Sequence, residues 1–339
     1  MKKKYPINWN DVIKIAAIGI TIFFVAILFT KISISDIIST LTQINPLYLV
    51  LSFFFYIMMY ISRTGRFYYL NHKEIPYKDL FPIVCFYNLI NNILPSITGE
   101  LSYVYLIRKF HKRTVGEGIA ALFIARMFDF IGISVIFLIS FIVIINSIAA
   151  NQNLIYWIIL ILGLFIAILG IFLFKSKNFF YKSSKILVYL NIHTTKPGDF
   201  ILKKGEETIL ALERSNTSGN YSYLMIFLYS LSICFFLYSY TAVLVFAMGI
   251  SLPLLAILFA CSFAFFTNTF PIQGIGNFGT FEAGWTLGFL SVGVPAELAI
   301  SSGFGYHIIA LAFNFILAIF GFITINRNRL STLFFKSKE

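Results

Sequence analysis

Residues 91–100 read NNILPSITGE and interrupt a long apolar segment that runs from Leu80 to Ile107. Proline, glycine and a carboxylate at that position break what would otherwise be one continuous membrane helix. Backbone that leaves the helix inside a bilayer is tolerated only where protein or a water-filled cavity covers it. A second stretch, residues 267–282, reads TNTFPIQGIGNFGTFE and interrupts a later apolar segment in the same way. Paired breaks in corresponding places of two halves point to a transport site near the bilayer midplane.

The membrane assignment rests on composition. The chain is 59% hydrophobic and 12% charged, against roughly 25% charged residues in soluble domains. A formal net charge of +12 would suggest nucleic acid in a soluble protein. Here the basic residues flank apolar runs, which assigns them to topology and to anionic lipid and excludes a nucleic-acid partner. Cys85, Cys234 and Cys261 lie singly in apolar segments, without metal-ligand spacing. No cofactor or metal is expected.

A spanning helix needs about 20 apolar residues. Single spans are expected near residues 12–30, 46–69, 118–145, 155–174, 221–248 and 296–325, with broken segments at 80–107 and 253–292. Charge orients them. Lys2, Lys3 and Lys4 place the N-terminus in the cytoplasm. Both flanks of the first broken segment are basic: Arg63, Arg66, Lys73 and Lys78 before it, Arg108, Lys109, Lys112 and Arg113 after it. One continuous span cannot begin and end in the cytoplasm. A re-entrant hairpin turning at 94–99 can. The loop at 146–153 carries no charge, whereas the connector at 175–220 holds eight Lys and Arg residues. Arg327, Arg329, Lys336 and Lys338 place the C-terminus inside. The second broken segment therefore begins and ends outside, as a hairpin turning at 271–279.

The expected fold is an all-α integral membrane protein of the cytoplasmic membrane, with six spans and two hairpins. Residues 1–150 give helix, helix, hairpin, helix, beginning inside. Residues 151–339 give the same order beginning outside, an inverted-topology repeat. The hairpin turns carry Pro95 and Gly99 in the first copy and Pro271, Gly276 and Gly279 in the second, and Asn92 and Glu100 echo Asn268 and Glu282.

Few charged residues remain at membrane depth. Glu100 and Glu282 each follow a glycine-containing turn. Such carboxylates are kept when they pair, protonate or bind something, or when they cap the helix that follows. Arg126 lies eight residues beyond Gly118, or roughly 12 Å into its helix. It shares a face with Asp129, three residues on, and either forms an ion pair with Asp129 or Glu100 or binds phosphate through its planar fork. Arg63 and Arg66 end the second span at the inner interface, as topological anchors or as captors of a lipid head group. His307 is a lone histidine in the last span and reads as a packed polar residue.

Three stretches then resemble a known family: residues 91–100, Ala125 to Asp129 (ARMFD), and residues 270–282. They are similar to the hallmark stretches of the flippase-like transmembrane domain of lysylphosphatidylglycerol synthases, a likeness that covers nearly the whole chain and includes Gly293 to Pro295. The resemblance implies translocation of a lipid across the cytoplasmic membrane: aminoacylated phosphatidylglycerol in the fused synthases, polyprenyl-phosphate-linked sugars in stand-alone relatives. It carries Glu100, Arg126, Asp129 and Glu282 over as functional positions. It does not imply synthase activity here. Ile97 and Tyr103 stand where the family often has arginine.

The expected activity is a lipid flippase without enzymatic turnover, driven downhill or by protons or ions. The alternatives are an ion-coupled small-solute transporter, a membrane-embedded polyprenyl-phosphate transferase, and an accessory scaffold. The transferase would want clustered carboxylates for a metal, and the connector offers only Asp199, Glu206, Glu207 and Glu213 among lysines.

Overall fold

The computed structural model describes residues 34–94, 96–145, 203, 206–208, 210, 220–269 and 275–335. Among these the chain is helical. The elements are α1 (Ile34–Thr42), α2 (Pro46–Leu70), α3 (Tyr77–Ile93), α4 (Ser96–His111), α5 (Val115–Ile144), α6 (Asn220–Ala247), α7 (Leu254–Thr269), a short 3₁₀ turn (Ile275–Asn277), α8 (Thr280–Ser291) and α9 (Ala296–Phe335). The expected spans at 12–30 and 155–174, nearly all of the connector, and Pro95 and Pro271 lie outside the described residues.

Local sequence explains the boundaries. α2 starts where Asn45 Oδ1 accepts from the Leu47 N–H at 2.9 Å, with Pro46 at the first helical position. It stops at Asn71, whose amide donates to the Phe67 carbonyl and to the Tyr103 hydroxyl. α5 opens on a reciprocal Thr114–Glu117 capping box. α3 ends at Leu94, which has φ −85° and ψ 154°. That extended geometry is the one a residue before proline prefers. The second break holds Gly276, Asn277 and Gly279 at φ 64°, 60° and 87°, where glycine carries no steric penalty and asparagine little.

Two expectations about the first break need correction. Gly99 was expected in the turn, but α4 restarts at Ser96 and carries Gly99 within its first helical turn. There a Cβ would fall 2.7 Å from the Asn91 Cα, so the glycine permits close approach of α4 to α3. Glu100 and Glu282 were expected at equivalent places. Glu100 sits inside α4, whereas Glu282 is the third residue of α8.

Among the described residues four helices are long and apolar enough to cross a membrane: 46–70, 115–144, 223–247 and 296–325. They coincide with the expected spans at 46–69, 118–145, 221–248 and 296–325. Their outward faces carry exposed Phe54, Ile142, Phe235 and Ile323, each more than half exposed. Continuous apolar surface of this kind suits lipid and not water. α2 packs on α6, α3 on both α4 and α9, α5 on α7, and α8 on both α7 and α9. The buried core collects Tyr60, Phe67, Leu80, Leu244, Trp285 and Phe289. α1 lies across α9, burying Ile37 against Ile300 and Phe304.

Candidate functional site

The two breaks adjoin. The 275–277 turn packs against α3, near the Asn92 carbonyl. Next to this junction a cavity of about 160 Å³ opens between α2, α3, α5, α6 and α9. That is room for several waters or one phosphate-sized group, since a single water needs roughly 10–15 Å³ measured this way.

Of the residues singled out from sequence, Arg63, Arg66, Asn92, Arg126 and Asp129 all line this cavity. Arg66 is almost wholly buried. Its guanidinium forks onto Asp129, at 2.5 Å to Oδ1 and 3.2 Å to Oδ2, and reaches Ser230 at 3.4 Å. Arg126 pairs with Glu100 at 2.8 Å, and both side chains are a little over a quarter exposed. Arg126 and Asp129 therefore share a face without pairing with each other; each reaches to a different helix. Arg63 donates to Asn88 Oδ1 and lies 5.7 Å from the centre of the Tyr60 ring. Among the described residues no carboxylate pairs with it. The Nε atoms of Arg63 and Arg66 are buried and make no hydrogen bond among the described residues. Three guanidinium groups thus meet two carboxylates, and the surplus charge faces the cavity.

Asparagines supply much of the remaining polarity: Asn88, Asn91, Asn92, Asn268, Asn277 and Asn314 line the space. Asn88 and Asn92 donate back to the Val84 and Asn88 carbonyls. Oδ1 of Asn91 and Oδ1 of Asn277 are buried without a partner among the described residues. Tyr60 donates to Asn314 Oδ1, and Tyr240 bonds Tyr306. Such a lining offers cations and neutral hydrogen-bonding groups together, the chemistry that holds an anionic, oxygen-rich head group.

Glu282 stands behind the wall. It is fully buried. One carboxylate oxygen accepts from the Gly279 N–H at 2.7 Å, and the other lies 2.5 Å from Nδ1 of His307. The capping role weighed for Glu282 is thus present. Among the described residues Glu100 makes no capping contact; it holds Arg126. His307 lines the cavity and stacks on Phe278, ring centres 4.3 Å apart. Sequence reading missed its partnership with Glu282. The available signal was a histidine in an apolar span, a group that needs a polar partner when buried.

The family profile described as the lysylphosphatidylglycerol synthase TM region matches residues 14–318. The chain belongs to that family. A search of curated protein sequences finds no match. The cavity, both breaks and every charged residue around them fall inside the matched region of the lysylphosphatidylglycerol synthase TM family. Membership agrees with the apolar helices: this is a multi-pass membrane protein, and the family suggests a membrane lipid-related role.

Proposed function

We propose that the chain is a lipid translocase of the cytoplasmic membrane, moving a phosphate-containing lipid rather than acting as an enzyme. The substrate class is a polyprenyl-phosphate-linked sugar or an anionic or aminoacylated phospholipid. The observation that carries this reading is the convergence of Arg63, Arg66 and Arg126 on one cavity beside both helix breaks. Arginine forks match phosphate oxygens in two-point geometry. Arg63, without a carboxylate partner among the described residues, is the group free to take a phosphate oxygen. Arg66 and Arg126 are held in place by Asp129 and Glu100. Transport would run downhill or be driven by protons or ions.

Packing supports an inverted repeat of 1–150 and 151–339, with re-entrant hairpins at 80–107 and 253–292 and both termini cytoplasmic. α2 meets α6, its counterpart. α3 meets α9 while α7 meets α5, and α4 meets α5 while α8 meets α9. Exchange of the two halves maps the α2–α6 contact onto itself and the other contacts named here onto one another, as expected for a pseudo-twofold axis. At 17, 16, 16 and 12 residues, α3, α4, α7 and α8 are shorter than a full span.

Cysteines placed at His72 and His111 are expected to react with impermeant reagent only from the cytoplasm, and cysteines at Ala150 and Gly293 only from outside. The native cysteines at 85, 234 and 261 are buried. Opposite-side labelling of 72 and 111 would make the first broken segment a span and remove the repeat. The lipid reading itself is tested by mass spectrometry of lipids retained on the purified protein. Phosphate-bearing lipid is expected on the wild type, reduced several-fold in Arg63→Gln. Equal retention by both would remove Arg63 from the site.

A further inference from the structure

The Glu282–His307 pair is not used by the arginine site, yet its histidine lines the same cavity. Glu282 is fully buried, and among the described residues its carboxylate meets only the Gly279 N–H and His307 Nδ1. A buried carboxylate needs a hydrogen-bonded counterpart, so Nδ1 is committed to Glu282. The other ring nitrogen, Nε2, has no hydrogen-bond partner among the described residues, and the residue lines the cavity. With a neutral ring the pair carries one negative charge. With a proton added at Nε2 it carries none.

We propose that His307, oriented by Glu282, is a proton-accepting wall of the anion cavity: it takes up a proton at Nε2 when an anionic head group binds. This rests on the anion-site reading above and adds to it the identity of the coupled proton. An anion opposite the arginines removes the cost of a positive imidazole and favours it. Among the described residues the other titratable or charged groups lining the cavity are Arg63, Arg66, Tyr56 and Tyr60 from α2, Tyr87 from α3, Arg126 and Asp129 from α5, Cys234 and Tyr240 from α6 and Tyr306 on α9 itself. α1, which also packs on α9, offers only the exposed Asp36. The pair also grips the second break, because Glu282 holds the Gly279 N–H and Phe278 stacks on the imidazole. Proton uptake therefore reaches the backbone of the second break.

The test is calorimetric titration of the full-length protein in detergent with dihexanoyl phosphatidylglycerol, a phosphodiester that does not itself titrate near neutrality. Titrations in two buffers of different ionisation enthalpy report the protons taken up per lipid bound. The wild type is expected to take up a substantial fraction of one proton near neutral pH. Its affinity should weaken as pH rises, by up to about tenfold per unit. His307→Gln and Glu282→Gln should bind with little proton uptake and a flat pH profile. Lipid binding by the wild type without proton uptake would overturn this proposal and leave the anion site standing. Undiminished uptake in His307→Gln would also overturn it. Absence of binding by the wild type, both of this lipid and of a short-chain polyprenyl-phosphate-linked sugar titrated in the same way, would overturn both readings. The wild-type measurement decides even if a variant fails to fold.

Discussion

Arg66→Leu is expected to lower the stability of the protein by about 3–5 kcal/mol, the usual cost of breaking a buried ion pair from one side. The lost guanidinium leaves Asp129 inside the protein with its fork partner gone. Ser230 also loses its contact with Arg66. Asp129→Leu should cost a similar amount, because Arg66 is the more deeply buried partner and would then be uncompensated. Combining the two should recover most of the loss, since an apolar replacement of a buried pair is often neutral. Thermal unfolding in detergent measures all three. Additive losses in the double variant would mean that the two residues are not each other's principal partner.

The second large effect is on transport. Arg126→Lys is expected to reduce lipid translocation about tenfold or more while changing stability by less than about 1 kcal/mol. The ammonium can still face Glu100 across a partly exposed pair, and pairs of that kind contribute little to stability. The loss falls on phosphate recognition, where the planar fork is replaced by a point charge. A variant that transports at the wild-type rate would confine Arg126 to holding Glu100.

These predictions also mark how far the sequence could be read. The breaks were legible because their causes are local. Pro95 biases Leu94 to the extended geometry observed. The glycines at 276 and 279 sit where the backbone turns to positive φ. The four spans among the described residues were legible because their length and apolarity are properties of contiguous sequence. Ion pairing was not legible. Spacing of three on α5 says that Arg126 and Asp129 share a face, but not which neighbouring helix each one meets. The partner of Asp129 lies 63 residues away on α2, and the partner of Glu282 lies 25 residues away across a helix boundary. The apparent echo of Glu100 and Glu282 misled for the same reason. Both follow a Pro and a Gly, yet one helix restarts before its glycine and the other after it.

The central claim is that this cavity carries a phosphate-bearing lipid across the bilayer, and translocation in proteoliposomes tests it most directly. The purified protein would be reconstituted into vesicles of phosphatidylethanolamine and phosphatidylglycerol containing a trace of head-group-accessible, fluorescent acyl-labelled phosphatidylglycerol. An impermeant quencher then reports the inner-leaflet lipid that reaches the outside. The account predicts quenching beyond the outer-leaflet half in vesicles with the wild type, reduced by about tenfold in rate with Arg126→Lys. If fluorescent phosphatidylglycerol fails, the same assay with a polyprenyl-phosphate-linked sugar is the remaining member of the proposed class. No protein-dependent translocation of either lipid by folded wild-type protein would contradict the account.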